Sequence, residues 1–191
     1  MLTSLLLPVL LSGVALFFTS FLSWMVLQLH KQDWIKLEKE DDIIAALKAA
    51  EVPVGNYMIP GCVDMKEMKS PEYVKKYDEG PCGILTVFGK VSMGRNLGLT
   101  FVYFLVVSFC LAYLAQLHIG PGAQFKDVFR FVATAGLMTY LAAIVQHAIW
   151  FHSRIVGHLI ESVLYAVITA AIFGAMWPAT LSQLHVTPPP M

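Results

Sequence analysis

Residues 97–117 read LGLTFVYFLVVSFCLAYLAQL, without one Asp, Glu, Lys or Arg. About 20 apolar residues in a helix cross the hydrocarbon core of a bilayer. In lipid each backbone amide must bond within its own segment, which a helix permits. A barrel strand would instead alternate apolar and polar residues over about ten positions, and Phe101 to Val107 does not alternate. Three further windows have the same character, at about 5–29, 131–151 and 159–177. No Lys or Arg precedes the first, and it is too long for the apolar core of a signal peptide, so it reads as a retained span.

The remaining sequence supports this reading. Of 191 residues, 57% are hydrophobic and 14% charged, against about a quarter charged in a soluble domain. Mean hydropathy is +0.66. A disordered chain, a disulfide scaffold and an ordinary soluble enzyme are excluded. The 13 Lys and Arg balance 13 Asp and Glu, which leaves no basic field for nucleic acid. The expected fold is an all-α integral membrane protein. Its chain 1–191 forms a single membrane domain of four transmembrane helices.

The charges gather between the first two spans. Residues 30–96 carry ten of the 13 cations, among them Lys31, Lys36, Lys90 and Arg95 beside the span ends. The third connection adds Arg154, whereas the second holds Lys126 and Arg130. The positive-inside rule therefore predicts a cytoplasmic 30–96 loop and both termini outside the cytoplasm. Within the loop, Asp41 or Asp42 caps a helix through Ala50, and Pro53 and Gly55 end it. Ser70 caps a second helix with Pro71 in its first turn and Gly80 past its end. The run 84–88 is a strand or an apolar strip. So polar a segment makes a weak core, and it is expected to lean on the helices or on a partner. Residues 178–191 form a proline-rich tail ending Pro188-Pro189-Pro190.

The stretches Tyr57-Met58-Ile59-Pro60, Asp64 to Glu72, Ser92-Met93-Gly94, Pro121-Gly122 and Val128-Phe129-Arg130 resemble uncharacterised bacterial four-helix inner-membrane proteins. The resemblance implies a four-helix fold in the bacterial inner membrane. It implies no activity.

Glu161 is the lone carboxylate inside a span, where a charge is costly. His158 and Tyr165, three residues before and four after, share its face. This pattern suits a proton relay or a metal ligand. It also suits a plain inward carboxyl bonded to His158, Arg154 or another span. His30, His147 (after Gln146), His152 and His158 fall at the same membrane level as Glu161 under the predicted orientation. Imidazole and carboxylate together suit zinc, iron, nickel or copper, and two facing imidazoles hold haem. The candidate metal set is thus His147, His158, Glu161 and His30, with Gln146, Tyr165 and Arg154 as further polar candidates.

Two other features carry simpler readings. Cys110 is read as a packing residue in the second span. Ala166, Ala170 and Gly174 recur every four residues and permit close helix approach, within the bundle or to a second copy. No catalytic motif appears. The first expectation is an accessory or interaction subunit, with a membrane-protein partner or a second copy and no cofactor. The alternative is a metal- or haem-binding redox or metal-handling protein. A third is a component of a proton-coupled channel or transporter.

Overall fold

The computed structural model describes residues 1–179, so the proline-rich tail from residue 180 lies outside the described residues. These residues divide into two units, 1–34 with 93–179 and 35–92.

Among the described residues, the first unit contains four helices long and apolar enough to cross a membrane. Helix α1 (Leu6–Phe21) follows a 3-10 turn (Leu2–Leu5) and widens into a π turn over Leu22–Val26. The others are α4 (Met93–His118), α5 (Phe125–Phe151) and α6 (Val156–Ala175). All four sequence windows are thus helical, with shifted ends. Helix α5 starts six residues before residue 131 because Lys126, Asp127 and Arg130 continue the helix as a polar first turn. Its 27 residues reach about 40 Å at 1.5 Å each, beyond the hydrocarbon thickness.

Two apolar layers form the core. At one end, Leu5, Val9, Ala112, Ala115, Val128, Val132, Ala170 and Phe173 pack together. Toward the other end lie Leu16, Phe104, Val107, Leu111, Tyr140 and Tyr165. The first layer draws on the start of one helix and the end of the next, as successive antiparallel spans require, and the second on their middles. Helix α5 packs along α6, and α1 along α4, whereas the backbones of α4 and α5 approach each other less.

The small-residue stripe lies within the bundle. A Cβ on Gly136 of α5 would stand 3.3 Å from the Ala166 Cα. One on Gly174 would stand 2.8 Å from the Phe125 ring. At the far end Trp177 Nε1 donates to the Gly120 carbonyl at 2.9 Å, tying the α4–α5 turn to the end of α6. Cys110 is exposed on α4, not packed as expected.

The second unit corrects the all-α expectation. Strands β1 (Gly55–Ile59) and β2 (Gly83–Val87) pair antiparallel, with Tyr57 opposite Leu85. Helices α2 (Glu40–Ala49) and α3 (Pro71–Glu79) complete the unit. Helix α3 begins as its sequence requires, because the Ser70 hydroxyl accepts from the Tyr73 amide at 3.2 Å. None of residues 35–92 is buried.

Candidate metal centre

The site begins where α1 stops. In the π turn the Leu27 amide donates to the Leu22 carbonyl and the Leu29 amide to that of Ser23. π geometry inserts extra residues into a helix, and such turns gather at functional sites. Gln28 then takes a left-handed conformation, φ 50°. That conformation is costly for a residue with a Cβ. Two tight turns follow, with Lys31 donating to the Gln28 carbonyl and Asp33 to that of His30. The chain doubles back and lays the His30 ring against the first turn of α6.

Gly157 makes this approach possible. A Cβ there would lie 2.8 Å from His30 Cε1 and 3.0 Å from Nδ1. The other face of the imidazole stacks on Trp24, with centroids 4.0 Å apart and planes 16° from parallel. His30 is thereby 3% exposed.

The His30 ring has two carboxylate neighbours. Nδ1 lies 2.7 Å from Asp33 Oδ2. A carboxylate accepts, so Nδ1 carries the proton and donates. Nε2 then points toward Glu161, 3.2 Å from Oε2 but without hydrogen-bond alignment. His158 Nδ1 lies 3.9 Å from the same Glu161 oxygen. The donor atoms of His30, His158 and Glu161 all fall within 4.8 Å of one another. Glu161 is 5% exposed, and its Oε1 has no hydrogen-bond partner. A buried carboxylate oxygen and a buried imidazole nitrogen left unpaired are each expensive.

The geometry fits a small divalent cation. Zinc–nitrogen and zinc–oxygen bonds are about 2.0–2.1 Å, so tetrahedral donors stand about 3.4 Å apart. The separations of 3.2 and 3.9 Å bracket that value. Two imidazoles with one carboxylate suit zinc or ferrous iron and leave a coordination position open. Asp33, holding Nδ1–H, orients His30 as outer carboxylates orient metal-bound histidines. Haem does not fit between these two rings, because their centroids are 4.4 Å apart and the rings touch.

The other sequence candidates lie apart from the cluster. His147 is exposed on α5, its ring against Phe151, and Gln146 is exposed beside it. His152 is the exposed left-handed residue that ends α5. Arg154 does not pair with Glu161; its guanidinium donates to the Gln32 side chain at 2.7 Å. Tyr165 is buried one turn beyond Glu161, edge-on to Phe104 and Tyr140. Asp33 and Trp24 were not anticipated as part of the site. The spacing His30-x-x-Asp33 was a readable signal for the first, but nothing local marked the second.

A cavity of about 300 Å³ adjoins the cluster, with Glu161 and His158 in its wall beside Phe104, Tyr140 and Tyr165. No protein-family model matches the chain, and no curated protein or solved structure shows significant similarity to it.

Proposed function

We propose that this chain is a multi-pass membrane protein that binds one divalent transition-metal ion, zinc or ferrous iron, through His30, His158 and Glu161. One observation carries the reading. His30 Nε2, buried without a hydrogen-bond partner, stands 3.2 Å from Oε2 of the buried Glu161 carboxylate, in a group of donors at coordination spacing with His158. A cation satisfies the His30 nitrogen and offsets the cost of burying Glu161. The cation distribution of the sequence supports a site at the cytoplasmic end of the bundle, with both termini outside the cytoplasm. The bacterial inner membrane is the matching location.

The test is metal counting on the full chain in detergent, after loading with zinc and dialysis. One ion per chain is expected, lost in His30→Ala and Glu161→Gln and retained in His147→Ala. Zinc retained equally by His30→Ala and Glu161→Gln contradicts the assignment.

The role of interaction subunit keeps one supporting observation. Residues 35–92 include exposed Ile35 and Val63 and no buried side chain. A unit so thin in core gains from a partner surface.

A further inference from the structure

We infer that the cavity beside Glu161 receives a small lipid-soluble molecule from the bilayer, and that an oxygen of this molecule completes the coordination of the metal. The inference rests on the metal assignment and extends it to the class of ligand. Glu161 and His158 stand in the wall of the cavity, so the coordination position they leave open faces it. The rest of the lining is four aromatic rings, three of them tyrosines, with Ile144 and the hydroxyl-bearing Ser20, Thr100 and Ser162 of α1, α4 and α6. Ligand pockets have this make-up, apolar walls with a few convergent polar groups.

Access is from the side. The lining includes Tyr103 of α4, 48% exposed, and half-buried Ile144 of α5. The backbones of these two helices approach less than those of α5 and α6 or of α1 and α4. Tyr103 is ten residues into α4 and Ile144 seven from the end of α5, roughly 10–15 Å along each helix. This exposed part of the lining therefore lies at lipid depth. At about 30 Å³ per water-sized unit, 300 Å³ holds a headgroup and a short chain. A carbonyl, hydroxyl or hydroxamate oxygen at the head is the matching donor for zinc or iron.

The experiment uses the full chain loaded with cobalt(II), whose visible spectrum reports coordination. Octanohydroxamic acid and acetohydroxamic acid, which share a headgroup, are titrated against it. The octanoyl compound is expected to perturb the spectrum at a concentration at least about tenfold lower. Thr100→Leu and, separately, Ser20→Val fill the cavity without touching the metal donors. Each is expected to keep one cobalt per chain and to bring the two half-saturation concentrations within about twofold. Equal response of the unaltered chain to both compounds overturns the lipid-side chamber, as does a preference that survives both variants. Failure to bind cobalt at all overturns the metal assignment and this inference together, so the two failures are distinct.

Discussion

Gly157 has no side chain, and His30 occupies the space one would fill. Its Cβ position is 2.8 Å from the imidazole, and the Leu29 carbonyl lies 3.1 Å away, so backbone as well as ring must move. Gly157→Ala is therefore expected to leave the bundle folded and to weaken zinc binding at least about tenfold by displacing His30. Competition against a chromophoric chelator measures this, and unchanged affinity would show that His30 is not a ligand. Asp33→Asn keeps the shape of the outer carboxylate but removes its charge. The expected loss of affinity is about 10–100-fold with stoichiometry intact. Glu161 and His158 were legible in the sequence because a carboxylate alone in an apolar run stands out, with an imidazole one turn away. Their partner was less legible. His30 was one of several membrane-level histidines, and only the turn at Gln28 and the gap at Gly157 select it over His147.

At the scale of elements, helices α5 and α6 approach through small residues. A valine at Gly136 would push into the Ala166 backbone, 3.3 Å from the added Cβ. Overpacking of this kind costs about 1–3 kcal/mol. Gly136→Val should lower the midpoint of thermal unfolding in detergent, and an unchanged midpoint would mean that α5 and α6 are not in register there. The ion adds its own term. At a free concentration one hundred times its dissociation constant, a ligand stabilises by about 2.7 kcal/mol. Chelation should then lower the midpoint of the unaltered chain and leave Glu161→Gln unmoved. The spans were legible because hydropathy over about 20 residues averages out local detail. Their ends were not, since polar first turns such as Lys126-Asp127 remain helical outside lipid. The hairpin was half legible. Residues 84–88 have strand character, but their pairing with residues 55–59 joins positions distant in sequence, which no local pattern encodes.

At the scale of the whole molecule, the proposed orientation is tested through residues 35–92. Cys62 and Cys82 are free and exposed in the second unit. An impermeant maleimide should label them in inverted vesicles and not in intact spheroplasts. The opposite pattern would reverse the orientation and leave the site itself unchanged. The division into two units follows the division of charge. Apolar runs gain their stability in lipid, and the charged segment between them belongs in water.

The metal centre is tested most directly by X-ray absorption of the zinc-loaded full chain. The expected result is a shell of nitrogen and oxygen donors at about 2.0–2.1 Å with multiple scattering from two imidazoles, a signal that is absent, with the zinc itself, in His30→Ala. A sulfur shell near 2.3 Å, or a spectrum identical in His30→Ala, would contradict it.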